Sequence, residues 1–363
     1  MRNLLSRSSF IMVLFVATFF QGQATANNVL TIEEQSLMVN PKLNEFVQPF
    51  NQRIDTFKQQ LTHQVSYTVL TQLVIRHGKG IWQDALTHFQ SQQSFDDRIL
   101  YWTRIAMFSA LKKSVSYQAL LPMQQEKLLW EFELYSRGNS HVKFNKKANK
   151  HILVIATDPF IREQSIDAIN TAAISALALD GMILNLNGQT AELKSIILPV
   201  NYAYLDKGLV EEVLNKHIDR EKVDLVLVLG QSDDHFKLSK SAMLTLNKNS
   251  IDNLGKVRGN NETSNIPLLA NKTLHSKQKL TNSWLYNSAI KANAPYVIAE
   301  QSNPSLSLIN EIFYRALNVS QNGGTSIDVG QIDMPIFTQH NKSKLNTLFN
   351  QLSQMLTLTI NDD

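Results

Sequence analysis

The sequence predicts an α/β fold: a three-layer α/β/α open sheet that is mostly parallel, preceded by a mainly helical N-terminal region. Two observations support the sheet. Short apolar runs recur along the second half of the chain, and amphipathic helical segments separate them. The clearest run is residues 152–155, Ile-Leu-Val-Ile, which ends before a turn at Asp158-Pro159. An unbroken apolar run of this length is typical of a strand that is buried on both faces, as in a parallel sheet.

The other elements follow in the order expected for strands that alternate with crossover helices. The predicted strands are 195–200, 224–230, 296–299 and 326–329, and the predicted helices are centred on 166–177, 209–218, 309–317 and 345–356. Residues 247–283 are rich in Asn, Lys and Ser and predict a long surface excursion. Ligands of open parallel sheets bind beyond the carboxyl ends of the strands, so the turn after residue 155 is the expected location of a site.

The first half of the chain has helical periodicity. Apolar residues recur every four positions from Phe57 to Leu73, which predicts one continuous helix, and a later helix follows Pro122 and ends at Gly138. The predicted organisation is a signal peptide at 1–26, a helical N-terminal region at 27–137, a linker at 138–150, and an α/β domain at 151–363.

The first 26 residues have the three parts of a secretory signal. Arg2 and Arg7 form a positive start, Phe10–Phe20 is apolar, and Ala24-Thr25-Ala26 is a small-residue cleavage site. The sequence therefore predicts a secreted, periplasmic protein that is cleaved after Ala26, with no membrane span after cleavage. An uncleaved membrane anchor is the alternative, although the apolar run is shorter than the ~20 residues that span a bilayer.

Composition excludes several classes of function. The 363 residues contain no cysteine, which rules out disulfides, cysteine-ligated metals and a cysteine nucleophile. The net charge is +4, and loss of the signal segment with Arg2 and Arg7 leaves +2, too little to indicate a nucleic-acid partner. Neither the G-x-G-x-x-G pattern nor the P-loop pattern is present, and no cofactor or metal is predicted.

Two short motifs could carry chemistry, and each has an ordinary structural explanation. Arg76-His77-Gly78 is similar to the histidine phosphatase motif, which requires His77 at a strand end, but the helical spacing upstream and Gly78 favour a helix C-cap. Asp233-Asp234-His235 follows a predicted strand and could bind a metal or act in acid–base chemistry. Two acids after a strand are also common in loops.

From residue 151 onward the chain resembles the pyroglutamyl peptidase I family, also called pyrrolidone-carboxylate peptidases. Residues 156–162 (ATDPFIR) stand where the family has G-F-D-P-F-G-G, Leu198-Pro199 matches a strand that ends in Leu-Pro, and Asp224–Gln231 matches D-L-V-L-x-x-G-Q. The resemblance covers about residues 150–340. It implies the α/β fold and a site lined by Thr157, Asp158 and Phe160, of which Phe160 retains one of two phenylalanines that hold the pyroglutamyl ring.

The family's catalytic residues are a Cys–His pair with a supporting Glu. Aligning the motifs places the Cys position at Ile309, the Glu position at Ser241 and the His position at Asp333. Isoleucine cannot act as a nucleophile, and serine is far less acidic than cysteine and needs a base beside it. The resemblance therefore implies the family fold without its catalytic residues.

Two functional hypotheses follow. The first is a catalytically inactive protein that binds an unknown small ligand or peptide. The second is an active peptidase or hydrolase that removes an N-terminal pyroglutamate or a related group without cysteine, using Asp158, Asp233, Asp333 and Ser305 or Ser307. This second hypothesis requires those groups to converge in the folded chain. The sequence does not indicate an oligomeric state.

Overall fold

The structure is a computed structural model. It describes residues 30–91, 95–161, 169–232, 235–243, 251–257, 279–281, 298–301, 308–322, 327–337 and 341–359. The helices are α1 (Ile32–Val39), α2 (Lys42–Val47), α3 (Asn51–Gln60), α4 (Tyr67–Gln90), α5 (Arg98–Lys113), α6 (Val115–Gln118), α7 (Pro122–Ser136), α8 (Thr171–Leu179), α9 (Tyr202–Asp206), α10 (Leu209–Glu221), α11 (Leu308–Asn322) and α12 (Lys342–Thr359). The strands are β1 (Lys150–Thr157), β2 (Ile183–Leu186), β3 (Gln189–Leu198), β4 (Leu225–Ser232), β5 (Phe236–Ser239), β6 (Ser241–Met243), β7 (Lys279–Thr281), β8 (Ile298–Gln301) and β9 (Asp328–Pro335).

Seven strands form one sheet in the order β2-β3-β1-β4-β9-β5-β8. The central strands β3, β1, β4 and β9 are parallel, as predicted, while β2 pairs antiparallel with β3 and β5 pairs antiparallel with β9 and parallel with β8. The predicted fold class is therefore confirmed, with antiparallel pairs added on both sides of a parallel centre. Strands β6 and β7 form a separate antiparallel pair.

Side chains alternate between the two faces of the sheet, as strand geometry requires. On β1, Ile152, Val154 and Ala156 enter a core that also contains α8, α12 and the N-terminal helices, whereas Leu153 and Ile155 enter a core built with α10 and α11. The helices thus cover both faces. The N-terminal helical region contributes to the first core directly, so it is a packed layer of the molecule.

Two predictions about the first half of the chain were wrong. The apolar pattern from Phe57 to Leu73 is divided between α3 and α4, because Leu61 is the C-cap of α3 and Ser66 is the N-cap of α4. The prediction that Gly78 ends a helix also fails, since α4 continues to Gln90.

The segment predicted as a linker begins inside the protein. A Cβ on Gly138, whose φ is +89°, would lie 2.7 Å from the Ser195 carbonyl oxygen and 2.7 Å from the Trp82 ring. Asn139 is buried, and its Oδ1 lies 2.7 Å from His217 Nε2 on α10. Residues 138 and 139 therefore hold α7 close to β3 and α10. Within the described residues, no helix is both long enough and apolar enough to cross a membrane.

Candidate functional site

Asp158 lies directly beyond the carboxyl end of β1 and is buried. Its Oδ2 accepts a hydrogen bond from Arg104 Nη2 of α5 at 2.7 Å and lies 2.8 Å from Arg137 Nη1, at the end of α7. Both arginine side chains are buried as well. The carboxylate predicted to line a ligand site is thus paired with two cations that the N-terminal region supplies.

Arg137 extends this cluster in two directions. Its Nε donates to Glu133 Oε2 one turn earlier on α7, and its Nη1 donates to the Ile197 carbonyl of β3 at 3.1 Å. Burial alone would lower the pKa of Arg137, but Asp158 and Glu133 raise it above its ordinary value, so the guanidinium stays charged. We call Arg104, Glu133, Arg137 and Asp158 the Asp158 cluster. Its two positive and two negative charges balance.

A second group of polar side chains lies beside the Asp158 cluster. Tyr101 Oη of α5 donates to Glu33 Oε1 of α1 at 2.6 Å and accepts from Asn253 Nδ2 at 3.2 Å. Asn253 Nδ2 also donates to the Pro159 carbonyl at 2.9 Å, and Asn253 Oδ1 accepts from the Ile161 backbone N–H. The turn after β1 is therefore fixed by a side chain that lies far away in the sequence.

Burial raises the pKa of Glu33 to about 7, against the lowering effect of the Tyr101 hydrogen bond, and the charge of Asp158 raises it further. A carboxyl group with this pKa changes its charge near neutral pH. The neighbouring Asp158 cluster acts on this pKa in both directions, since the charges of Asp158 and Glu133 raise it and the charge of Arg104 lowers it.

Thr157 and Phe160 flank Asp158 but differ in exposure. Thr157 is buried, and its carbonyl accepts from Asn170 Nδ2 at 2.7 Å. Phe160 is partly exposed and packs against the core on the α10–α11 face. Of the three residues predicted to line the site, Thr157 and Asp158 are buried and Phe160 is partly exposed to solvent.

Ile309 and Asp333 meet above Gly230. Gly230 and Asp333 are register partners on β4 and β9, and Ile309 lies in the first turn of α11. A Cβ on Gly230 would overlap Asp333 Oδ1 and lie 2.8 Å from Ile309 Cγ2. The positions that the motif alignment assigned to the thiol and the imidazole are therefore neighbours, and Gly230 provides the space for both side chains.

Asp333 is buried, and its Oδ1 accepts from Gln331 Nε2 at 2.8 Å. Burial raises its pKa to about 7, while the Gln331 hydrogen bond and the charge of Lys237 oppose this rise. A carboxyl group in this state can donate or accept a proton near neutral pH. Among the described residues, the side chain beside it above Gly230 is that of Ile309, which is not a nucleophile.

Ser241, at the predicted Glu position, is buried in β6, which packs against α11. His235 follows β4, and its carbonyl accepts a hydrogen bond from Ser232 Oγ. Asp233, Asp234, Ser305 and Ser307 lie outside the described residues, so their proposed roles stay predictions.

Asp158 and Asp333 do not converge. Asp158 is bound by Arg104 of α5 and Arg137 at the end of α7, whereas Asp333 lies on β9 beside Gly230 and Ile309 of α11. Strand β4 also separates β1 from β9, which places their backbones about 10 Å apart at the usual strand spacing. The structure thus does not bring these two described acids of the second hypothesis together, while Asp233, Ser305 and Ser307 lie outside the described residues.

His77 lies within α4, not at a strand end. Its Nε2 lies 2.8 Å from Gln60 Oε1, its ring packs against Phe57, and burial lowers its pKa to about 4. A Cβ on Gly78 would lie 3.0 Å from Tyr135 Cβ, so this glycine allows α4 and α7 to pack closely. The condition for phosphatase chemistry at His77 is not met.

Comparison with known proteins gives different relatives by sequence and by structure. A sequence family described as the PA0049 N-terminal domain matches residues 18–133. A curated relative, the uncharacterized protein PA0049 of Pseudomonas aeruginosa, is 26% identical over 170 residues, which is 41% of this chain and 31% of the relative. The chain thus spans about a third of the length of the curated relative that it matches.

Among solved structures, the chain is similar over rather more than half of its length to pyroglutamyl peptidases. A mutant pyrrolidone carboxyl peptidase from Pyrococcus furiosus is 16% identical to this chain. The match covers 58% of this chain and 99% of the peptidase, with a TM-score of 0.45. Pyroglutamyl peptidase I from Bacillus amyloliquefaciens is 14% identical. The match covers 59% of this chain and 97% of that enzyme, with a TM-score of 0.44. The pyrrolidone carboxyl peptidase from Thermococcus litoralis is 15% identical. The match covers 58% of this chain and 93% of that enzyme, with a TM-score of 0.43.

Proposed function

We propose that this is a secreted, periplasmic binding protein whose α/β domain resembles the pyroglutamyl peptidases but does not catalyse their reaction. The observation that carries the proposal is the pair above Gly230, where Ile309 and Asp333 occupy the positions assigned to a thiol and an imidazole. Nucleophilic catalysis needs an activated nucleophile beside a base. Isoleucine supplies none, and no cysteine elsewhere in the chain can replace it.

The state of Asp158 supports the same proposal. A carboxylate that two buried arginines already bind has little capacity left for a substrate. Phe160, partly exposed on the other side of the turn, is the side chain we assign to ligand contact at this edge of the sheet. The ligand class we propose is a small molecule or peptide end that packs an apolar ring against it.

The test is hydrolysis of a fluorogenic pyroglutamyl amide by the purified protein, with a cysteine-type pyroglutamyl peptidase as the positive control. We expect no release above buffer from the wild type or from Asp333→Asn. Release by the wild type that Asp333→Asn abolishes would overturn the proposal and establish a cysteine-free mechanism.

Binding and location are tested separately. Pyroglutamyl-alanine titrated into the protein should bind without cleavage in isothermal calorimetry, and Phe160→Ala should weaken that binding, whereas Phe144→Ala serves as a matched control outside the turn. Mass spectrometry of the protein released by osmotic shock should give an N-terminus at Asn27. Retention in the cytoplasm with an intact Met1 would contradict the proposed secretion.

A further inference from the structure

A groove of about 630 Å³ opens between α7 on one side and α9 with α10 on the other. The N-terminal helical region provides one wall and the α/β part the other. Its lining includes none of the residues assigned above to the sheet edge. Concave surfaces at such boundaries, lined by aromatic groups and a few polar ones, are preferred sites for small ligands.

An aromatic pair forms the apolar part of this groove. The rings of Trp130 on α7 and Tyr204 on α9 lie 5.4 Å apart at 60° and both face the groove. Tyr117 lines it as well. Aromatic rings present flat apolar faces that pack against the C–H faces of another ring, and their positions are well defined because they have few rotatable bonds.

Polar contacts cross the same boundary and hold the two walls together. Trp130 Nε1 donates to Glu212 Oε2 of α10 at 3.1 Å, and Lys207, after α9, pairs with Glu126 of α7. Within the N-terminal wall, Gln125 Nε2 of α7 donates to the Tyr117 carbonyl of α6 at 3.0 Å. The aromatic faces are therefore fixed by specific contacts.

The charges that line the groove cancel. Glu126 and Glu212 are matched by Lys127 and Lys207. A cationic ligand would meet two ammonium groups and an anionic ligand two carboxylates, so neither is favoured. A neutral ligand with several hydroxyl groups could instead accept hydrogen bonds from the lysines and donate to the carboxylate oxygens.

We propose that the groove between Trp130 and Tyr204 binds a neutral saccharide. One pyranose ring packs its C–H face on the aromatic pair, while its hydroxyls bond to Glu126, Lys207 and Glu212. This site is independent of ligand binding at Phe160, and it concerns binding without any change to the saccharide.

The experiment uses the full protein and four probes: N,N′-diacetylchitobiose and maltose as neutral disaccharides, choline as a cation, and glutamate as an anion. Saturation-transfer NMR should show saturable binding of at least one disaccharide and of neither charged probe. Binding of choline or glutamate alone, or of no probe up to millimolar concentration, would overturn the proposal.

Variants then locate the binding site. Trp130→Leu should weaken disaccharide binding by about tenfold, because the stacking face is lost, while Trp130→Phe, which keeps an aromatic face, should weaken it less. Glu212→Gln, which keeps the size of the side chain, provides a second test that spares the packing of the groove. Leu121→Ala, at an exposed position outside the groove lining, is the control and should bind as the wild type does. Equal affinity in all four variants would contradict the assignment.

Discussion

At the scale of single residues, Asp158 is a buried charge whose partners come from another part of the chain. Arg104 and Arg137 approach the same carboxylate oxygen. A buried ion pair contributes little net stability as a pair, but removing one partner leaves an uncompensated charge in a medium of low dielectric constant. The effect of a substitution on the free energy of unfolding therefore depends on how exposed the ion pair is, more than on how many contacts it makes.

Asp158→Asn should lower the free energy of unfolding by about 3–5 kcal/mol, because Arg104 and Arg137 then lose their shared counter-ion. Urea-induced unfolding measures the change. The matched control is Asp55→Asn, which breaks the exposed Lys58–Asp55 pair, whose side chains are 57% and 65% exposed. The control should lose less than about 1 kcal/mol. Equally small losses in both variants would contradict the buried pairing.

Asp333 makes stability depend on pH in a defined direction. Its pKa rises from 3.8 to about 7 through burial, so its contribution to stability is complete below pH 3.8 and is lost as pH rises towards 7. Asparagine does not titrate. The Asp333→Asn variant should therefore gain stability relative to the wild type between pH 4 and pH 7, by about 1.4 kcal/mol for each unit of pKa shift.

Urea unfolding of both proteins at pH 4.5 and pH 7.5 measures this gain. Exposed Asn215 supplies the control, since Asn215→Ala changes no ionisable group and its difference from the wild type should not change with pH. If the difference in unfolding free energy between Asp333→Asn and the wild type is also independent of pH, Asp333 is not buried as described.

At the scale of elements, glycine and turn chemistry determine where helices and strands meet. Gly78 and Tyr135 bring α4 against α7, and the Asn187-Gly188 turn joins β2 to β3. Both residues of that turn have positive φ, at 52° and 84°. Asn-Gly is a strong hairpin signal that was present in the sequence, and it accounts for the strand β2 that the sequence analysis missed.

Gly78→Leu should destabilise the protein by about 1–3 kcal/mol, because a larger side chain must displace Tyr135 at the crossing of α4 and α7. Thermal unfolding measures the change. Gln72→Leu adds the same side chain at an exposed position of α4, and we expect little effect there. A stabilising Gly78→Leu, as helix propensity alone predicts, would contradict the close crossing.

The elements that the sequence predicted well are those with a strong local pattern. The run at 152–155 became the central strand β1, and the helix centred on 209–218 became α10, because local periodicity determines both. Arg104 and Asp158 are 54 residues apart and follow no spacing rule, so their pairing was not predictable. Leu61 and Val65 continued the apolar pattern across the α3–α4 connection, which concealed the break between two helices.

At the scale of the whole molecule, the N-terminal helices and the α/β sheet share one core. Trp82 and Leu100 belong to the same apolar cluster as Ile152 and Val154 of β1. The Asp158 cluster joins α5 and α7 to the end of that strand. The two parts should therefore unfold together, because separating them would expose both the shared apolar surface and the buried charges.

Native-state hydrogen exchange with mass spectrometry tests this coupling most directly, with Arg104→Met as the perturbation. We expect amides in α4 and α5 to open with the same free energy as those in β1 and β4. The Arg104→Met variant leaves Asp158 with one arginine partner. In this variant the opening free energy should fall by the same amount for the helix amides and for the strand amides. Helices that open separately, with a loss in the variant confined to α4 and α5, would contradict a single cooperative fold.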